Sequence, residues 1–234
     1  MHEMNPVDQL AAAGKFSEAI QALQQSPTYD ATYFFNLGIL YGRSNQPGLA
    51  YAHFEKANRL NPHDPEVIRN LKLAKQQFEQ KLSQSEGLAS VDTVSNSFEQ
   101  FADRIQADEI LGVMGLVLVV VSLLWIRAYL KTRHLTKTFL KPSGWFGVLA
   151  LIIVSALYGV HKAGSLNPPA MVMIRLPLRS GPGLNYPELN ALQPGIKVRL
   201  VGSAVTVNEN ELWQKVRYKA DLTAWLPLSA LLPL

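Results

Sequence analysis

Five histidines are the only side chains here that titrate near neutrality without help from their surroundings. His2, His53, His63, His134 and His161 fall in five separate stretches, and none has a second ligand or a catalytic partner at a working spacing. The chain has no cysteine, which removes thiolate nucleophiles, thiolate metal sites and disulfides. Its serines lack the strand-turn-helix setting of a nucleophile elbow. Gly181-Pro182-Gly183 reads as a turn between strands, and no glycine-rich loop opens a helix to cradle phosphate. The expectation is a protein without catalytic residues, metal site or cofactor, so its work should be binding.

The elements that would position a binding surface begin with a helical repeat. Phe34, Leu37, Gly38 and Tyr41, then Ala50, Phe54 and Ala57, then Pro62, fall at the offsets of a helix-turn-helix unit of about 34 residues. Gly38 and Ala50 are small where two helices must cross closely. Phe34, Tyr41 and Phe54 fill the space around that crossing, and Pro62 stops the second helix. The pattern resembles the tetratricopeptide repeat. Before it, Gly14-Lys15-Phe16 with Ala19, Ile20 and Leu23 reads as the end of a degenerate repeat closing at Ser26-Pro27. After it, Asp64-Pro65 supplies an N-cap and a first-turn proline for a helix reaching about Lys81, similar to the helix that caps a repeat stack. Residues 1–84 are therefore expected to be a small all-α TPR superhelix with a capping helix.

In such stacks the first helix of each pair lines an inner groove. By that resemblance Phe35, Asn36, Ile39, Arg43, Arg69, Asn70 and Leu73 form a peptide-binding groove. Asn36 and Asn70 each offer a donor and an acceptor to an extended peptide, or instead satisfy backbone groups between repeats. Arg43 and Arg69 suit a carboxylate.

Two uncharged apolar runs follow, Ile110–Ile126 and Gly144–Val160. Their length approaches the ~17–25 residues of a membrane-crossing helix, with Trp125, Tyr129 and Trp145 as interfacial anchors. The expectation is a transmembrane hairpin over 108–163, with helices at about 110–130 and 144–161. The connection carries Arg127, Lys131, Arg133, His134, Lys137 and Lys141 and no acid, whereas Asp103, Asp108 and Glu109 precede the first run with only Arg104. Cationic loops stay inside, which predicts a two-pass bacterial inner-membrane protein, loop cytoplasmic and both termini periplasmic. Residues 1–25 show no signal peptide, so the true start lies upstream, or the chain is a mature or trimmed one, or the first apolar helix exports the first domain. Residues 85–107 read as a linker and an amphipathic helix, with Val91, Val94, Phe98, Phe101 and Ile105 on one face. That helix would lie on the membrane or pack on the repeats. The net charge of +4 reflects this topology rather than a nucleic-acid surface, because the cations form no stripe.

From Pro168 the period changes to two. Lys197–Val201 alternates charge and aliphatic, with further short strands at Leu212–Tyr218 and Ala224–Leu226. Turns fall at Ser180–Gly183, Gln193–Gly195 and Asn208–Asn210. Residues 168–234 are expected to be a small antiparallel barrel. Leu178-Arg179-Ser180-Gly181-Pro182-Gly183, Leu192 with Gly195 and Val198, Trp213 with Val216, and Trp225-Leu226 resemble the bacterial SH3-like family. Such domains bind peptidoglycan or peptides, or simply pack on neighbours. Tyr186, Trp213 and Trp225 are the candidate ligand face, unless the tryptophans are core, an alternative that fits Trp225 better because it begins a closing strand.

The whole order, with Tyr33–Gly38 and the run from Leu60–Asp64 to Asn70-Leu71, resembles the tetratricopeptide component of the Bat aerotolerance operons. That resemblance implies a scaffold in complex with von Willebrand A-type membrane proteins and, indirectly, a MoxR-type ATPase. A cell-wall sensor or peptidoglycan-binding adaptor, acting through the barrel, is the alternative. A regulatory subunit of a wall enzyme is a third.

Overall fold

The computed structural model describes residues 6–86, 107–132, 142–207, 211–219 and 222–234. Five helices come first: α1 (Pro6–Ala12), α2 (Phe16–Gln25), α3 (Ala31–Arg43), α4 (Pro47–Leu60) and α5 (Pro65–Glu86). Two more follow, α6 (Ala107–Thr132) and α7 (Pro142–Ser165). The chain forms two compact units, Met1–Val94 with Pro168–Leu234, and Ser95–Asn167.

Local chemistry sets the helix starts. The Asp30 carboxylate accepts from Tyr33 N at 2.7 Å and caps α3. Asp64 accepts from Glu66 N at 2.9 Å and Val67 N at 3.3 Å and caps α5. Pro47 occupies the first turn of α4, where its missing N–H costs nothing. The α3–α4 crossing is as tight as Gly38 implies: a Cβ there would stand 2.7 Å from the Phe54 ring.

Eight antiparallel strands make the second half of this unit: β1 (Pro169–Val172), β2 (Leu176–Arg179), β3 (Glu188–Leu192), β4 (Lys197–Leu200), β5 (Val205–Val207), β6 (Glu211–Lys219), β7 (Leu222–Pro227) and β8 (Leu231–Pro233). The order is β3-β2-β7-β6-β4-β1-β8, with β5 also on β6. The path is open, ending at β3 and β8. The expected turn at 208–210 lies outside the described residues.

α4 is buried nearly all round, through Pro47, Gly48, Ala50, Tyr51, Ala52, His53, Phe54 and Ala57. Such a helix needs neighbours on every side. α3 and α5 cover two, and the sheet covers another. Tyr51, Phe54 and Phe78 belong to the same apolar core as Met171, Val172, Ile196 and Val198. Leu232 of β8 also packs against a cluster whose buried members are all helical. Polar contacts also join the halves, among them Lys197 Nζ to Glu55 Oε1 at 2.9 Å and Lys56 Nζ to the Pro233 carbonyl at 2.8 Å.

The expected fold class, a two-span membrane protein with a TPR superhelix, is corrected on two points. A superhelix needs repeat stacked on repeat. Here one face of α4 is occupied by the sheet, so the helices share a core with the strands instead of continuing as a solenoid. Second, among the described residues no helix is long and apolar enough to cross a membrane. The expectations of a transmembrane hairpin, an inner-membrane location and periplasmic termini lose their basis with it. In that unit α6 and α7 pack together, and Ile110 and Val154 are buried. The expected amphipathic helix at 85–107 and the cations Arg133, His134, Lys137 and Lys141 lie almost wholly outside the described residues.

Candidate functional site

The side chains expected to line a groove divide by exposure. On α3, Phe35 and Ile39 are half-buried, and the Phe35 ring lies 5.5 Å from that of Phe54. Asn36 and Arg43 are exposed. On α5, Arg69 is exposed and Leu73 is 51% exposed, a large apolar side chain left open to solvent. Asn70 turns one amide proton onto its own helix, donating to Glu66 O at 2.8 Å, so its carboxamide is only partly available to a ligand. Asn36, Arg43, Arg69 and Leu73 are the exposed members of the set.

A cleft lies one helical turn beyond them. Gly42, Asn45 and Pro47 form one wall at the α3–α4 turn, and Gln77, Gln80, Lys81 and Gln84 of α5 form the other, around about 440 Å³. The turn is held by its own bonds. Ser44 Oγ donates to Tyr41 O at 3.0 Å, and Gln46 Nε2 donates to Ser44 Oγ at 3.1 Å. Asn45 takes a left-handed conformation (φ 59°), which asparagine tolerates better than most residues. None of these seven residues was among those expected from sequence. The available signal was the four-residue step from Leu73 to Gln77, which continues the same face of α5.

On the sheet, the three aromatics separate. Trp213 is 1% exposed and belongs to the core, so no ligand reaches it without opening the fold. Trp225 is half-buried on β7. Tyr186 is 46% exposed, its ring over Gly181, where an added Cβ would overlap it. The Arg179 guanidinium organises this loop. It donates to Leu184 O and Tyr186 O, both at 2.8 Å, and to Glu188 Oε1 at 2.7 Å. Leu184 and Tyr186 are thus displayed on a braced loop.

His53 is the main buried titratable group of the helical part. Its ring stacks on Tyr41 (5.1 Å, 1° between planes) and on Phe34 (6.0 Å, 20°). Neither ring nitrogen has a hydrogen-bond partner among the described residues. Burial lowers its pKa from 6.5 to about 4, keeping it neutral. Lys56 lies 6.0 Å above the Phe34 ring, its pKa lowered by burial and by Arg59. Among the described residues no three His, Asp or Glu side chains gather as metal ligands would. No protein-family model, curated protein or solved structure matches the chain.

Proposed function

We propose that the protein is a non-enzymatic scaffold that binds partner proteins on the α3–α5 surface. The observation that carries this reading is the exposed set Asn36, Arg43, Arg69 and Leu73 beside an open polar cleft, on helices whose other faces are buried. Arginines present forked donors to carboxylates, and an exposed leucine beside them supplies an apolar anchor. The resemblance to the Bat tetratricopeptide component names the partners to try first, von Willebrand A-type proteins, with a MoxR-type ATPase reached through them.

Affinity capture with the full chain as bait tests this reading. Arg43→Ala with Arg69→Ala should release the captured partner while leaving the fold intact. Retention of every partner by that variant sinks the assignment of this surface.

A second reading, a peptidoglycan-binding adaptor, is favoured by the braced loop that presents Tyr186 and Leu184. Sedimentation with purified sacculi distinguishes the two. Under this reading the full chain co-sediments and Tyr186→Ala does not.

A further inference from the structure

The cleft between the α3–α4 turn and α5 is lined mainly by polar side chains. Among the described lining residues, four carboxamides, Asn45, Gln77, Gln80 and Gln84, surround one cation, Lys81, with no acid or aromatic ring. Each carboxamide carries both a donor and an acceptor. That is what a peptide main chain requires, since its N–H and C=O groups alternate. We infer that this cleft is a recognition site for a short extended peptide segment, bound through its main chain, with a carboxylate directed to Lys81. The inference rests on the protein-binding reading above, but not on Arg43 or Arg69.

Dimensions agree. Gln77, Gln80, Lys81 and Gln84 follow the i, i+3, i+4, i+7 stripe of one helix face. Seven steps of about 1.5 Å give a stripe roughly 10 Å long, which about three residues of extended chain span at ~3.3 Å each. The volume of about 440 Å³ lies in the range of small-ligand sites. Sugar rings are commonly held against aromatic faces, and the lining offers none, so a glycan is the poorer fit. The opposite wall is already ordered, through the Ser44 and Gln46 bonds and the first-turn Pro47, which reduces the ordering cost of binding.

The test uses the full ¹⁵N-labelled chain and three probes: N-acetyl-triglycine, its C-terminal amide, and N-acetylglucosamine. The side-chain amide resonances of Gln77 and Gln84 should shift saturably with N-acetyl-triglycine and stay in place with the sugar. The amide probe should bind about threefold more weakly, and Lys81→Met should erase that difference, as expected for one exposed ion pair. Gln77→Ala with Gln84→Ala should weaken binding by about tenfold with an unchanged circular dichroism spectrum, both side chains being exposed. Absence of a saturable shift up to the solubility limit of N-acetyl-triglycine, or an equal response to the sugar, overturns the site. Binding that ignores both Lys81→Met and the amide cap overturns the carboxylate assignment. Partner capture that persists while these probes fail removes this inference alone, and the reverse result removes the α3–α5 surface alone.

Discussion

Gly48 of α4 and Gly195 of the turn before β4 meet backbone to backbone: a Cβ built on Gly195 would stand 2.6 Å from Gly48 Cα. Gly195 also has φ 93°, in the region where glycine is favoured. The sheet can approach α4 this closely only because both residues lack side chains. We expect Gly195→Ala to destabilise the fold by about 2–4 kcal/mol, from overlap plus backbone strain. Gly202→Ala separates the two causes, since Gly202 also has positive φ (66°) but nothing within 4 Å of its would-be Cβ. It should cost about 1 kcal/mol. Equal losses in urea denaturation would show that the close approach contributes nothing.

The Glu55–Lys197 pair spans this same junction, with side-chain exposures of 14% and 12%. A pair so shielded is weakly screened by salt, and deleting Lys197 removes the cation that faces the Glu55 carboxylate. Glu55→Ala or Lys197→Ala alone should cost about 2–3 kcal/mol, and the double variant clearly less than the sum. A double-mutant cycle in low and high salt measures the coupling. A coupling near zero would place the pair with ordinary surface ion pairs.

His53 predicts a pH dependence with a definite sign. Below pH 6.5 the unfolded chain takes up a proton that the folded ring refuses until about pH 4. Its contribution to stability is therefore complete above pH 6.5, falls as the pH drops toward 4, and is constant below that. The full loss is roughly 3 kcal/mol. His53→Phe keeps a flat ring between Tyr41 and Phe34 and should remove this component of the stability–pH curve. If wild type and variant change in parallel between pH 6.5 and pH 4, the ring is not the group responsible.

Arg179 acts on one loop rather than on the core. Arg179→Ala removes three acceptors' partner at once, so amides of 180–187 should exchange faster while amides of β6 keep their protection. Hydrogen exchange read by mass spectrometry checks this. Uniform loosening of the sheet would contradict it.

Seen from particular residues, what could be read from sequence was local. The Asp64 cap and the Gly38–Phe54 crossing involve neighbours in sequence or within one hairpin, and the structure has both. The run Lys197–Val201 likewise contains a strand, β4, but Arg199, expected to face outward, is buried beside Val198. Of the ten side chains singled out for binding, Trp213 is enclosed in the core and Asn70 is partly committed to its own helix, because an aromatic or amide residue type does not say which way it faces. The apolar runs at Ile110 and Gly144 did become helices, while among the described residues no helix is long and apolar enough to cross a membrane.

By itself, then, the sequence determined where α5 begins and which positions at the α3–α4 crossing must be small. Those follow from hydrogen bonding and steric limits acting over a few residues. Tertiary structure alone decided that the sheet seats on α4, that the two halves share one core, and that a carboxamide-lined cleft opens beyond the expected groove. Apolar burial is non-directional and names no partner. The choice is made only when groups such as Glu55 and Lys197, 142 positions apart, are brought within hydrogen-bonding distance.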